Sequence, residues 1–194
     1  CEFSGRVRDA FIRKGHEAVS CDLVSSEAPG PHIQGDALEA VGSTRWDMMI
    51  AHPPCTYLCS MGIWWNHKRP ERWLDTYAAL DFVEALWAAP VERVCIENPP
   101  GYLTNNSSLG RPSQCIQPWH HGHEANKPTS LWLNNLPKLE KTSVVGKGRF
   151  YRKSNGQRMS TWSHATSGTN KAKRAKIAST TFQGIADAMA DQWG

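Results

Sequence analysis

The sequence predicts an α/β fold: a mostly parallel sheet with helices on both faces and a small basic lobe attached. Two observations carry the sheet. Short apolar runs at residues 17–23, 46–51 and 91–96 alternate with segments of helical periodicity, the pattern of strand, crossover helix and next strand. Each run also stops at an acidic or proline-bearing turn, as a buried parallel strand does on leaving the sheet. A third observation, the distribution of charge, defines the lobe. Residues 138–176 hold eleven Lys and Arg against one acid, Glu140, whereas the remaining residues hold eleven against seventeen. With 194 residues, 40% hydrophobic composition and nine tryptophans, the chain has enough apolar surface for one folded domain.

The elements follow in order. Residues 1–5 (CEFSG) read as the tail of a buried strand breaking into a glycine turn, followed by a helix over 7–14 that stops at Gly15. Residues 17–23 form a second strand ending at Asp22, and 32–37 a third ending at Asp36. The run WDMMIA at 46–51 is halted by His52-Pro53-Pro54-Cys55, because proline cannot continue a central strand. Apolar residues at helical spacing (Leu74, Tyr77, Ala78, Phe82, Ala85, Leu86) predict a helix over 72–89. The strand at 91–96 follows and is closed by Glu97-Asn98-Pro99-Pro100. Beyond Gly101 the periodicity fades, apart from the apolar patch Leu131-Trp132-Leu133 and a last helix at 184–193 with Ile185, Ala188, Met189 and Trp193 on one face. That helix is expected beside the first strand. The domain division expected is 1–137 with 181–194 as the catalytic unit and 138–180 as the basic lobe or flexible segment.

In open parallel sheets ligands gather beyond the carboxyl ends of the strands. Those ends hold Phe3-Ser4-Gly5, Asp22, Asp36, Pro53-Pro54-Cys55 and Glu97-Asn98. A glycine turn before a helix lets a ligand approach the backbone, and an acid ending the second strand can accept ribose hydroxyls. Two prolines before Cys55 set the thiol at a fixed place, as a nucleophile requires, and are equally compatible with a buried structural cysteine. Glu97 is either a cleft carboxylate or an exposed loop acid.

Taken in chain order, Phe3-Ser4-Gly5, Asp22, Gly35-Asp36-Ala37, Pro53-Pro54-Cys55, Glu97-Asn98, residues 110–114 and Gly184-Ile185-Ala186 resemble the motif series of the DNA cytosine-5 methyltransferases. The likeness is to the small phage-type members and runs almost end to end. It implies a Rossmann-like S-adenosylmethionine-dependent methyltransferase fold, with S-adenosylmethionine as cofactor and S-adenosylhomocysteine as product. It also implies double-stranded DNA as partner, a monomer, and a cytoplasmic, phage-encoded enzyme acting in a host cell. Cofactor contacts would come from Phe3, Ser4, Gly5, Asp22, Asp36, Ala37, Pro53 and Ile185. Cys55 would attack carbon 6 of a flipped-out cytosine, and Glu97 would hold N3 and the exocyclic amine. DNA contacts would come from Thr56, Arg111, Lys127, Arg149, Arg152, Lys153, Arg158, Lys173 and Arg174.

The chain departs from the family in four places. Thr56 stands where the family has Gln, and Pro99 where it has Val. Gln114-Cys115-Ile116-Gln117 replaces a segment that supplies two arginines, which leaves Lys127 or Arg111 to support Glu97 or clamp phosphate. The room for target recognition, about 139–180, is short, which implies a short recognition sequence or little preference. Four other readings compete. An exocyclic-amine methyltransferase would carry Asp or Asn before Pro-Pro and an aromatic after it, and this chain has neither. A zinc site would draw on Cys115, His120, His121 and His123, with Cys55, Cys59 and Cys95 elsewhere, but there is no paired Cys-x-x-Cys spacing, so no metal is expected. A non-catalytic nucleic-acid binder would use the basic block, and an enzyme acting on a free pyrimidine nucleotide or adding another group would not need it. No run approaches the ~20 apolar residues of a membrane span, and the six cysteines show no secreted disulfide framework, so a soluble protein with reduced thiols is expected.

Overall fold

The computed structural model describes residues 1–152, 154–156, 158–160 and 170–194. Helix α1 (Arg6–Arg13) leads to strands β1 (Ser20–Asp22) and β2 (His32–Gln34), helix α2 (Ala37–Gly42) and strand β3 (Met48–Ala51). Helices α3 (Ser60–Asn66) and α4 (Arg72–Trp87) precede β4 (Arg93–Asn98), α5 (Leu103–Asn106), β5 (Gln114–Ile116) and a 3-10 turn at Pro118–His120. Strands β6 (Thr129–Asn134), β7 (Phe150–Arg152) and β8 (Arg158–Ser160) and helices α6 (Lys171–Ser179) and α7 (Gln183–Trp193) complete the order.

The architecture is α/β, and the sheet is mixed rather than mostly parallel. β1 pairs with β2 in parallel, and a four-stranded sheet runs β3-β4-β6-β5. β3 and β4 are parallel, whereas β6 runs antiparallel to both β4 and β5. The apolar patch expected only as Leu131-Trp132-Leu133 is thus a six-residue central strand. Its signal was diluted by Thr129 and Ser130, which are buried polar residues. β5 returns through a long connection to the far side of β6, a path that reverses one strand in an otherwise parallel set.

Alternation along the strands divides the core into two faces. Met48, Ile50, Cys95, Leu131 and Ile116 face α1 and α7, where Val7, Phe11, Ile185, Met189 and Trp193 pack. Met49, Ala51, Val94, Ile96 and Trp132 face α4 and α2, where Val83, Leu86 and Val41 pack. Helices therefore cover both faces. Buried indoles are satisfied by carbonyls, Trp132 Nε1 by Gly110 at 2.9 Å and Trp193 Nε1 by Pro137 at 3.0 Å.

Two further expectations are corrected, and two helices were not foreseen. Residues 1–3 form no strand: Glu2 N donates to Cys21 O at 2.8 Å, and the chain then turns at Gly5. The last helix packs on α1, because Val7, Ala10 and Phe11 on α1 face its apolar stripe. The loop after Cys55 contains α3, which the run of bulky aromatics at Trp64-Trp65 concealed, and the basic block contains α6, whose charge masked its helical character. The start of the basic block is tied to the main core, with Leu139 buried there and Glu140 N donating to Gln192 Oε1 at 2.7 Å.

Candidate active site at the ends of β3 and β4

Since β3 and β4 are adjacent and parallel, with Ala51 opposite Ile96, the segments that leave their carboxyl ends emerge side by side. One carries His52-Pro53-Pro54-Cys55 and the other Glu97-Asn98-Pro99-Pro100. Three contacts stitch them. Asn98, 1% exposed, donates from Nδ2 to Pro53 O at 2.9 Å. Tyr102 N donates to Leu58 O at 2.7 Å, and Cys59 bridges to Gly101. Neither crossing leaves room for a side chain: a Cβ on Gly62 would overlap the carbonyl oxygen of Thr56, and one on Gly101 would lie 2.9 Å from the Cys59 Cα.

The backbone between Cys55 and Cys59 closes one helical turn, with Cys59 N donating to Cys55 O at 2.9 Å. The two thiols lie one turn apart and shift each other's ionisation in opposite directions. Cys59 accepts from Cys55 and, against the cost of burial, is lowered to about 6, helped by the N–H groups of Gly62 and Met61 at the start of α3. Cys55 is correspondingly pushed far up, first by that hydrogen bond, then by burial and by the negative charges of Cys59 and Glu97, with Lys127 opposing. Of the two, Cys59 is therefore the readier to carry negative charge and Cys55 the one that keeps its proton.

Glu97 lies within β4 with its side chain 17% exposed. Burial would raise its pKa, yet the net direction is down, because His52 bonds it, Lys127 adds positive charge and Thr129 donates to it. His52 Nδ1 lies 3.3 Å from Glu97 Oε2, and His52 Nε2 is buried with no protein partner. Lys127 Nζ donates to Ala178 O at 2.6 Å, so one lysine links the carboxylate end of β4 to the end of α6. Gln114 lies in the same row across the sheet as Glu97, one strand removed through Leu131, and its Nε2 is buried without a partner.

The strand ends of the amino-terminal half border a second region. A cavity of about 780 Å³ runs between the facing edges of β1 and β3, from His16, Met48 and Arg93 at one end to Cys21, Ala37, Ala51 and His52 at the other. Its size falls within the range of small-molecule sites. Of the cofactor candidates only Ala37 lines it. Asp22 ends β1 and receives one backbone hydrogen bond, from Val24 N at 3.3 Å, so its carboxylate keeps acceptor capacity. Asp36 caps α2 through Leu38 N at 2.7 Å, using one oxygen. Phe3 is half-buried, Ser4 is buried with Oγ donating to Glu2 at 2.6 Å, and Pro53 is buried beneath Asn98. Ile185 is buried in the α1–α7 core.

The Gly5 turn has an occupant that the sequence did not reveal. Arg8, with a fully buried side chain, places its guanidinium against Gly5 and Gly30, both at positive φ, where a Cβ would lie 3.0 Å and 2.8 Å from its Cζ. It pairs with Asp9 at 2.7 Å and donates to the carbonyls of Ala28, Pro29 and Pro31 and to two serine hydroxyls. One buried cation thus fixes the glycine turn and the loop between β1 and β2.

The DNA candidates are dispersed. Thr56 is exposed one residue from Cys55, and Arg111 is exposed ahead of β5. Arg149 and Arg152 are exposed at β7, Arg158 lies 4.8 Å over the Phe150 ring, and Lys173 is exposed on α6. Lys153 and the side chain of Arg174 lie outside the described residues. His52 as a partner of Glu97, and Cys59 as a neighbour of Cys55 rather than a zinc ligand, were not foreseen from sequence; the i, i+4 spacing of two cysteines was the available signal. Among the described residues no group of three or more His, Cys, Asp or Glu is placed to hold a metal ion, and no helix is long and apolar enough to cross a membrane.

No protein-family model matches this chain, and none of the curated proteins matches it either.

Proposed function

We propose that this chain is a group-transfer enzyme that attacks a nucleic-acid base through a cysteine. The observation that carries the reading is the convergence of Cys55 and Glu97 on two stitched segments at the ends of adjacent parallel strands. A nucleophile beside a carboxylate that accepts hydrogen bonds suits an electron-poor ring bearing an amine.

More particularly, the reaction is methylation of carbon 5 of cytosine in double-stranded DNA by a monomer. The Cys55 sulfur attacks carbon 6 as its proton passes to Cys59, the neighbouring sulfur that ionises more readily, so that the pair keeps its single proton and the charge moves into the ring. Glu97, held as a carboxylate by His52 and Lys127, accepts from the exocyclic amine and fixes the ring's orientation. Loss of the carbon-5 proton then lets the Cys55 sulfur leave. The target must be unstacked to reach this site, and the exposed cations at Arg149, Arg152, Arg158 and Lys173 offset that cost through phosphate contacts.

S-adenosylmethionine, when bound, supplies an activated methyl group. The residues that fit it are Asp22, with free acceptor capacity toward ribose hydroxyls, Asp36 and Ala37 toward the adenine, and the backbone of the Phe3-Ser4-Gly5 turn, on the side that Arg8 does not fill, toward the methionine end. Asp22, Asp36 and Ala37 cluster at the carboxyl ends of β1 and β2, where a cavity of ligand size opens.

The test is incubation with radiolabelled S-adenosylmethionine and duplex DNA containing 5-fluorocytosine, in which the last elimination is blocked. A labelled adduct that survives denaturation and disappears in Cys55→Ala supports the reading. No adduct, in protein shown to bind both DNA and cofactor, refutes it.

A further inference from the structure

We propose that the aromatic and cationic face formed by α3 and the start of α4 is a stacking surface for unpaired bases of single-stranded DNA. The inference rests on reading the Cys55 site as one that acts on a DNA base, and names how the strand is held beside it.

Large apolar side chains are concentrated and exposed here. Met61 is 68% exposed, Trp64 50%, Trp65 43% and Tyr77 51%. Isolated exposed apolar residues are ordinary, but two adjacent half-exposed tryptophans with a neighbouring methionine form a patch that water solvates poorly. Both tryptophans are accompanied by a cation, and so is the neighbouring Tyr57. Lys68 Nζ lies 6.0 Å from the Trp64 ring, Arg69 Cζ 5.6 Å from Trp65, and Arg72 Cζ 4.5 Å from Tyr57. A purely apolar partner has no charge with which to meet these three cations. A nucleic-acid strand uses both, the rings for bases and the cations for phosphates.

The surface is also preorganised. Asn66 Nδ2 donates to Thr76 Oγ1 at 2.7 Å, both residues being fully buried, and Arg72 Nε reaches Asn66 Oδ1 at 3.3 Å, locking α3 to α4. Trp64 and Trp65 meet edge to face at 5.0 Å and 80°, an arrangement in which neither ring stacks face to face on the other. The face is continuous with the candidate site, because α3 begins at Ser60, directly after Cys59, and Gly62 rests on the carbonyl of Thr56. The base left unpaired opposite the extruded cytosine, and any flanking pair that opens with it, would lie next to it.

The experiment titrates the full chain with a 12-nucleotide single-stranded oligodeoxynucleotide containing one cytosine, reading tryptophan fluorescence and anisotropy. The intact chain is compared with Trp64→Ala/Trp65→Ala and with Lys68→Ala/Arg69→Ala, each checked by circular dichroism. Quenching on binding is expected, with a loss of roughly tenfold or more in affinity for the double tryptophan variant, the scale of one to two stacked bases. The slope of log affinity against log salt should become shallower by about 1.4 in the lysine–arginine variant. Unchanged affinity in the tryptophan variant overturns the proposal. So does self-association that the tryptophan variant abolishes while oligonucleotide binding persists, because the face then joins two copies. Loss of oligonucleotide binding in the variant, in a chain that forms no 5-fluorocytosine adduct, keeps the stacking surface and removes the methyl-transfer reading.

Discussion

Asn98→Leu isolates the contact that holds the two halves of the candidate site together. Asn98 Nδ2 is the donor to Pro53 O, and the carbonyl sits in a buried crossing where water cannot replace it. Leaving a buried acceptor unpaired costs about 1–3 kcal/mol. Part of that is returned, because Asn98 Oδ1 is itself buried without a protein partner and the leucine removes it. Leucine keeps the branched shape, but its methyl groups are bulkier than the amide, and overpacking a buried site adds about 1–3 kcal/mol. The net loss is about 2–3 kcal/mol, equivalent to a fall in Tm of about 4–12 °C for a chain of this size. The effect on rate is separate, because Pro53 is two residues from Cys55 and a shift of about 1 Å at a reacting atom costs about 100-fold. Thermal unfolding, cofactor affinity and the rate of adduct formation on 5-fluorocytosine DNA should therefore separate: a moderate stability loss, unchanged cofactor binding and a rate down by about two orders of magnitude. A rate within threefold of the parent would refute the view that this hydrogen bond positions the thiol.

Other outcomes follow from the same geometry. Gly62→Ala should slow adduct formation at least tenfold, since the new methyl must displace Thr56, whereas Gly42→Ala, with nothing within 4 Å, should leave the rate intact and raise Tm slightly. Arg8→Met should cost about 3 kcal/mol, seen as a Tm lower by about 6–12 °C in calorimetry, with weaker cofactor binding as the Gly5 turn loosens. Because Cys59 ionises more readily folded than unfolded, its stabilisation is fully present near pH 9 and is lost as pH falls through about 6. Urea unfolding of the parent relative to Cys59→Ser should show a stability difference that grows from about pH 6 upward, read below about pH 8, where Cys55, raised in the fold, is a thiol in both states and contributes no slope. A flat difference would remove the shared-proton pair.

Strands ending in an abrupt chemical change were legible from sequence. Met48–Ala51 stopped by two prolines and Arg93–Asn98 stopped by two more were placed to within a few residues, and their parallel pairing sets the segments bearing Cys55 and Glu97 side by side. Elements whose burial is polar were not. β6 opens on two buried hydroxyls, α3 is a short helix of bulky rings, and α6 is a helix made largely of cations. Arg8 was missed for a related reason: a buried arginine between ordinary helix residues carries no periodic mark, and only the two glycines around its guanidinium, twenty-five residues apart in sequence, record its presence.

Four glycines mark places where one stretch of backbone rests on the carbonyl of another: Gly62 on Thr56, Gly101 on Leu58, Gly148 on Glu124 and Gly184 on His121. Such crossings fix chain length between them more firmly than they fix residue type. Insertions should be tolerated in the exposed stretch at 67–71, between α3 and α4, and rejected between Cys55 and Gly62, where one added residue would move both partners out of register. Distant relatives of this chain would then be traceable by the spacing of these crossings after their side chains had diverged.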